Sequence, residues 1–350
     1  ILIAVGNRRI AFASFVLLLL IHGGIGVWKI RTAPKPRMDV FVFYVDSAHA
    51  LARGENPYAI TFANVYAPLT TMYGPGLVKD DRVQFGFPYP PLVLMWTAPA
   101  QLLLGDFRYA FLAAMLASAV MILAMRPDKL GMLIAAILLF MPRTFYLLEI
   151  GFTEPLSAML LAATILCALR WPKLMPVMLG LFWASKQYLP AAIFLLPILY
   201  MDRRLTRTLV VAIFFAAVVT LPLALWDFPA FWHSVVSLQF QQPYRGDSAS
   251  FLAWWGIGKP GWIGPAWAAF VGIFIAIALC LWRCARTPAG FAGAMALCFF
   301  IFFAFSKQAF ANYYYLVIAA MCVAMAAEDF RSAHQSADKK IIGPCEASSP

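Results

Sequence analysis

Residues 39–58, DVFVFYVDSAHALARGENPY, form a polar interruption in an otherwise apolar chain, directly after its first long hydrophobic run. That run, residues 11–29, has the length that a helix needs to cross the hydrocarbon core of a bilayer, about 20 residues. It is longer than the core of a signal peptide, and no small-residue cleavage site follows it. We therefore expect a retained membrane anchor, followed by the first loop that leaves the membrane.

The composition of the whole chain is that of a multi-span membrane protein. Hydrophobic residues make up 63% of the sequence, charged residues 12%, and the mean hydropathy is +0.78. These values lie far outside the range of soluble domains. Because helices satisfy their own backbone hydrogen bonds in lipid, we expect an all-α polytopic protein. The candidate spans are residues 10–29, 91–125, 130–147, 153–170, 174–185, 189–201, 206–226, 264–282, 289–305 and 311–328.

Two of these regions allow two interpretations each. Residues 91–125 fit one broken crossing or two short helices hinged at Gly105 and Asp106. Residues 174–201 fit two short helices or one long helix broken near Lys186. The expected count is therefore about ten transmembrane helices, give or take one or two.

The net charge of +11 indicates membrane topology rather than nucleic-acid binding, because the basic residues form short clusters between apolar runs. Under the positive-inside rule these clusters mark cytoplasmic helix ends, so residues 30–90 and 227–263 become outer loops of one membrane domain, residues 1–331. If the number of crossings before them differed by one, Arg126 and Lys173 would lie outside. Residues 332–350 are polar and rich in small residues, which predicts a disordered cytoplasmic tail. The basic clusters are Arg8/Arg9, Arg126/Lys129, Arg170/Lys173, Arg203/Arg204/Arg207, Arg283/Arg286 and Arg331/Lys339/Lys340.

The polar interruption itself predicts an amphipathic helix on the outer membrane surface. Its apolar residues follow helical spacing, and the helix should end at Gly54, before the turn at Asn56 and Pro57. Asp39 and Asp46 are seven residues apart. They should lie on one helix face, about 10 Å apart along the axis. Taken alone, either carboxylate also fits a solvated loop residue.

Short motifs that combine acidic, basic, aromatic and proline residues occur at residues 39–58, 89–92, 151–156, 184–190 and 307–315. Together they resemble the integral-membrane glycosyltransferases of the GT-C fold, and most of all the polyprenol-phosphate-mannose-dependent mannosyltransferase family. The likeness extends over most of the chain, although residues 66–82 have no counterpart in the family's pattern.

This resemblance implies an inverting enzyme without a cofactor. It would move a hexose, with mannose as the candidate, from a polyprenyl-phosphate donor to a lipid or glycan acceptor on the periplasmic face of the inner membrane. Asp39 matches the position of the family's general base, and Asp46 is the second candidate. The residues agree with this chemistry, since such a transfer needs a carboxylate for the acceptor proton and cations for the leaving phosphate.

The remaining candidates fall into two groups. Lys186, Lys307 and Arg245 are candidates for binding phosphate. Lys186 and Lys307 are cations in apolar runs, and an isolated cation at membrane depth is costly unless it has a function. Arg245 lies in a polar run, as a more exposed donor that could bind phosphate through two hydrogen bonds. The alternatives are snorkelling lysines and a solvated loop arginine. Arg143 near Glu149 fits either a structural pair or a phosphate contact. The candidates for contacts with acceptor or donor are Asp46, Tyr58, Tyr89, Glu154, Tyr188, Asn312 and Tyr313.

Other functional classes fit the sequence less well. No metal site is expected, because the six cysteines show no CxxC spacing and neither His49 nor His233 has a second ligand at metal spacing. A transporter or flippase of a lipid-linked or small polar substrate is the alternative. It should show paired broken segments near mid-membrane, and no inverted repeat is apparent. A purely structural protein would need no acid and base on one surface.

Overall fold

The computed structural model describes residue 3 and residues 7–68, 72–200, 203–259, 262 and 264–328. The expected tail, residues 332–350, and the last basic cluster lie outside the described residues. The α-helices are α1 (Arg8–Thr32), α2 (Asp39–Ala52), α3 (Pro91–Leu104), α4 (Arg108–Met125), α5 (Lys129–Leu139), α6 (Thr144–Ile150), α7 (Glu154–Arg170), α8 (Met175–Trp183), α9 (Arg203–Ala224), α10 (Phe228–Trp232), α11 (Leu238–Gln241), α12 (Phe251–Trp255), α13 (Trp267–Arg283), α14 (Pro288–Ala304) and α15 (Ala311–Ala327). A 3-10 helix occupies Leu189–Ile198, and a π-helical turn occupies His233–Ser237.

The apolar helices confirm an all-α, polytopic membrane protein. Within the described ranges, three helices are long and apolar enough to cross a bilayer alone, namely Arg8–Thr32, Arg108–Met125 and Arg204–Ala224. Helices α5 and α6 make a fourth crossing if the bent pair is one span. Five shorter apolar helices accompany them, from Pro91–Leu104 to Ala311–Ala327. The total of about ten crossings stays a prediction.

Three regions of the bundle are broken, and each break has a local cause. Helix α3 ends where Gly105 adopts a left-handed conformation, so residues 91–125 are two helices hinged at Gly105 and Asp106. Residues 130–147, expected to be one span, are instead a pair bent by 48°. Pro142 lies at that bend and has no N–H group to continue a helix.

The third break contains Lys186. Helix α8 ends at Trp183, and the 3-10 helix begins at Leu189, so residues 174–201 are two short helices. Pro190 cannot donate the hydrogen bond that would join them into one helix. The break leaves Lys186 free to turn out of the helical path and into the site described below.

Basic residues gather at one end of the bundle. Arg8 donates to the carbonyl of Pro127 (3.3 Å), Arg170 to that of Ala124 (2.9 Å) and Arg126 to that of Glu328 (2.7 Å). These bonds join the start of α1 to the ends of α4, α7 and α15. The other ends of the same helices therefore lie together about 27 Å away, the length of an 18-residue helix such as α4.

The segment after α1 is a folded cap at that far end. Helix α2 packs on α3, and three short antiparallel strands, β1 (Phe62–Ala63), β2 (Val78–Lys79) and β3 (Arg82–Val83), pair in the order β1–β3–β2. Phe43 of α2 packs against Phe62 of β1, with ring centroids 4.8 Å apart. The expected surface helix is thus held against protein on one side, because its aromatic face is buried by the strands and α3.

Candidate active site

A cavity of about 410 Å³ opens beside the cap, at the end of the bundle opposite the basic cluster. Its volume is within the usual range for small-molecule sites. The start of α2, the residues before α3, the bend between α5 and α6, the break at Lys186, residues 238–249 and the start of α15 all contribute to its wall. Chain segments that are distant in sequence therefore meet at this cavity.

Asp39, the first residue of α2, lies partly buried in the wall of this cavity. Its Oδ1 accepts hydrogen bonds from the Val40 N–H (2.8 Å) and the Tyr66 hydroxyl (3.1 Å), and its Oδ2 accepts from the Tyr73 hydroxyl (3.1 Å). Burial raises the pKa of Asp39, and the three hydrogen bonds and the charge of Arg245 oppose that rise. A carboxylate with a raised pKa is a stronger base, as proton abstraction from a hydroxyl requires.

Tyr66 and Tyr73 were not found by sequence reasoning. They belong to residues 66–82, the segment without a counterpart in the family's pattern. Burial raises the pKa of both hydroxyls, so both stay protonated and can only donate to the Asp39 carboxylate. No periodicity marks these tyrosines, and they meet Asp39 across 27 and 34 residues of chain. Only the fold of the cap brings them together.

Lys186 reaches the cavity from the break after α8 and is 3% exposed. Its Nζ forms a 2.8 Å ion pair with Oε1 of Glu154 and also donates to the Thr153 hydroxyl. The ammonium lies 4.8 Å from the centre of the Tyr89 ring and 5.8 Å from that of Tyr313. Glu154 is fully buried, so the structure uses it as the counterion of Lys186.

Arg245 lines the cavity from the segment between α11 and α12. Its Nη2 lies 2.6 Å from Oδ2 of Asp247, its Nε donates to Oδ1 of the same carboxylate (3.0 Å), and its guanidinium stacks 4.9 Å from the ring of Phe310. The fork-like pair with Asp247 fixes the plane of the guanidinium. Glu149, the expected partner of Arg143, instead pairs with Lys29 at 2.6 Å.

Lys307 and Tyr188 line a neighbouring groove of about 310 Å³ rather than the Asp39 cavity. The Lys307 Nζ donates to the carbonyl of Phe240 (2.8 Å) and lies 3.4 Å from that of Gln242. Burial lowers the pKa of Lys307. Cavity and groove share Tyr313 and four glutamines that sequence reasoning did not single out, Gln187, Gln239, Gln242 and Gln308.

The structure brings some of the predicted residues together and leaves others apart. Asp46 is exposed and absent from the cavity wall, because it lies in the middle of α2 while Asp39 begins that helix. Tyr58 lies behind the wall and donates to the carbonyl of Tyr89 (2.9 Å). The predicted residues that line the cavity are Asp39, Tyr89, Arg143, Lys186, Arg245, Asn312 and Tyr313.

Among the described residues, no group of three or more histidine, cysteine, aspartate or glutamate side chains could hold a metal ion. The charged groups in the cavity wall are two carboxylates, Asp39 and Asp247, and three cations, Arg143, Lys186 and Arg245, and amides and aromatic rings make up much of the rest.

Neither a family model nor a curated protein matches the sequence. Among solved structures, the chain is similar to ArnT from Cupriavidus metallidurans, which was crystallised bound to undecaprenyl phosphate. The TM-score is 0.56 and the sequence identity 18%, and the match covers 95% of this chain and 63% of that one. The chain thus spans less than two thirds of the length of its structural neighbour. At this level of identity the match establishes architecture, and the protein described here has the GT-C fold of a polytopic membrane protein.

Proposed function

We propose that this protein is a membrane glycosyltransferase that moves a sugar from a polyprenyl-phosphate donor to a hydroxyl group of a lipid or glycan acceptor. The observation that carries the proposal is the common cavity of Asp39, Lys186 and Arg245 at one end of an apolar bundle. A base for a hydroxyl and cations for a phosphate are the two requirements of this transfer. The GT-C architecture supports a lipid-linked donor.

The proposed reaction is a single displacement at the anomeric carbon. The acceptor oxygen attacks that carbon, its O–H proton passes to the carboxylate of Asp39, and the bond between the carbon and the phosphate oxygen breaks. Polyprenyl phosphate leaves with the bonding electron pair, and the anomeric configuration inverts. Tyr66 and Tyr73 hold the carboxylate in place by donating to both of its oxygens.

The cations act on the leaving group. Negative charge grows on the phosphate as the glycosidic bond breaks, and fixed cations in a poorly hydrated site stabilise such charge. Lys186 is held by Glu154 and Arg245 by Asp247, so neither cation needs to reorganise during the reaction. The carboxylates of Glu154 and Asp247 also weaken the attraction of these two cations for a phosphate.

Two further observations bear on the sugar and on the side of the membrane. The motif resemblance favours a hexose, with mannose as the candidate. The clustering of Arg8, Arg126 and Arg170 at the opposite end favours a periplasmic active site in an inner membrane.

The test is a transfer assay with purified protein in nanodiscs. Radiolabelled polyprenyl-phosphate mannose, glucose and galactose serve as donors, and an extract of the host's membranes serves as acceptor. We expect one donor to be used, with inverted anomeric configuration in the product. Asp39→Asn should lower the rate by about 100-fold or more. Asp46→Asn is the matched control, since it removes an exposed carboxylate from the same helix.

Full activity of Asp39→Asn would rule out the base assignment. If no polyprenyl-phosphate sugar is transferred, but the protein moves a fluorescent polyprenyl phosphate across proteoliposomes, the flippase alternative gains support.

A further inference from the structure

Arg143 is the third cation in the cavity wall, and its electrostatic surroundings differ from those of the other two. Lys186 is paired with Glu154 and Arg245 with Asp247. Within the described part of the chain, Arg143 forms no ion pair, and its guanidinium contacts the ring of Tyr146 at 5.9 Å. Among the cations that line the cavity, Arg143 therefore has the one charge without a fixed acidic partner.

The backbone at Arg143 is strained. Its φ is +68°, in the left-handed region that glycine adopts easily and other residues rarely adopt. Arg143 precedes α6 at the bend after α5, and its carbonyl accepts the first hydrogen bond of α6 from Leu147 (2.9 Å). An arginine stands where glycine would fit with less strain. Such strain is concentrated at functional sites, where a side chain has to be held in a particular direction.

An apolar groove of about 590 Å³ adjoins this residue in the chain. Its lining includes Phe140, Met141 and Pro142, the three residues directly before Arg143, together with Leu18 of α1 and Ile318 of α15. Its surface is almost wholly apolar, and it runs along helices of the membrane-spanning bundle. Inorganic phosphate has no apolar surface to bury against this groove, whereas the hydrocarbon chain of a phosphorylated lipid does.

From these three observations we infer that Arg143 binds the phosphate of a phosphorylated polyprenyl lipid, with the first part of the lipid chain along the groove of Phe140, Met141 and Pro142. This assignment rests on the proposed function and deepens it, because it names the residue that takes the donor's phosphate. A guanidinium binds two phosphate oxygens through parallel N–H donors fixed in one plane, a geometry that an ammonium lacks. Lys186 and Arg245, each paired with a carboxylate, then attract the same phosphate less strongly than Arg143 does.

The experiment measures binding rather than turnover. The full chain in nanodiscs is titrated with undecaprenyl phosphate, with undecaprenol and with inorganic phosphate. Arg143→Gln should weaken the binding of undecaprenyl phosphate by about tenfold or more and leave undecaprenol unaffected. The affinity of Arg143→Lys for undecaprenyl phosphate should lie between those of the unaltered protein and Arg143→Gln, since lysine keeps the charge but lacks the two parallel donors of the guanidinium. Arg31 is exposed, lies in the last turn of α1 and does not line the cavity, so Arg31→Gln should bind as the unaltered protein does.

Arg143→Gly separates binding from folding. Glycine relieves the backbone strain, so this variant should melt at or above the temperature of the unaltered protein, and it should still lose affinity for the phosphate as Arg143→Gln does.

Equal affinity for undecaprenyl phosphate with and without Arg143 would overturn the assignment, and so would an equal loss of undecaprenol binding. Competition by inorganic phosphate at the affinity of the lipid would overturn the lipid source. These outcomes are distinct from a failure of the proposed function, which would show as an absence of transfer from every polyprenyl-phosphate sugar while lipid binding persists.

Discussion

Tyr73 donates a 3.1 Å hydrogen bond to Oδ2 of Asp39, and so ties the cap over the cavity to the carboxylate at the start of α2. Tyr66 makes the matching contact to Oδ1. Two neutral donors therefore stabilise the ionised form of a carboxylate whose pKa burial raises. The cap shields Asp39 from water, which raises its pKa, and donates hydrogen bonds to the ionised form, which lowers it.

Removing the Tyr73 hydroxyl should move the pH dependence of transfer. In Tyr73→Phe the ionised form of Asp39 loses a donor, so the pKa of Asp39 rises further, and the acidic limb of the pH–rate profile moves to higher pH. At a pH on that limb the rate should fall by about tenfold, since a hydrogen bond to a charged group contributes roughly 1.5 kcal/mol. On the alkaline plateau it should change little. A uniform loss of rate at all pH values would instead indicate a disrupted cap.

Asp39→Asn should change stability in the opposite direction from activity. The raised pKa of Asp39 means that the folded state binds its proton more tightly than the unfolded state does. The carboxylate's contribution to folding stability is then lost as pH rises from the unfolded pKa through the folded pKa. The amide does not titrate. Relative to the natural protein, Asp39→Asn should therefore gain stability as pH rises through this window, as measured by thermal unfolding in detergent at several pH values. A constant difference between the two melting temperatures would contradict a raised pKa.

The helix breaks could be predicted because their causes are local. Gly105 and Asp106 are breakers within an apolar run, and Lys186 is a charge within another, so the sequence marks both positions. The bend at Pro142 was missed, because a proline inside an apolar run also fits a continuous, kinked span.

The candidate site could be predicted only in part, because much of it is non-local. Asp39, Lys186 and Arg245 are charged residues in distinctive local contexts. Lys307 has a similar context, yet its ammonium folds back onto the carbonyl of Phe240, 67 residues away. The partners of Asp39 lie in a segment without hydrophobic periodicity, and no spacing rule relates Tyr73 to a carboxylate 34 residues earlier.

The Lys186–Glu154 pair should be sensitive to the loss of one partner. Lys186→Met leaves the carboxylate of Glu154 buried without a counterion, which should lower the free energy of unfolding by about 3–5 kcal/mol. The double variant Lys186→Met/Glu154→Leu should recover most of that stability, because no charge remains buried. Transfer should stay low in both variants, since the cation that faces the cavity is gone.

The half-exposed pair of Lys29 and Glu149 serves as the control. Lys29→Met should cost less than about 1 kcal/mol, because solvent screens an exposed pair. Stability that does not return in the double variant would indicate that Lys186 supports the fold through its contacts with Tyr89 and Tyr313 rather than through its charge.

Asn312 should contribute to binding rather than to stability. It is 3% exposed, lines the cavity, and its Oδ1 has no hydrogen-bond partner among the described residues. Oε1 of Gln187, in the same wall, is also unpartnered. A buried polar atom left unpaired costs roughly 1–3 kcal/mol, so removing it should not destabilise the protein. Asn312→Leu, of similar size, should keep or raise the melting temperature. The amide oxygen gains its partner only when a hydroxyl-bearing ligand enters, so the same variant should raise the KM for the sugar donor by about tenfold and leave the affinity for undecaprenyl phosphate unchanged. An equal loss of affinity for the sugar-free lipid would instead place Asn312 at the phosphate.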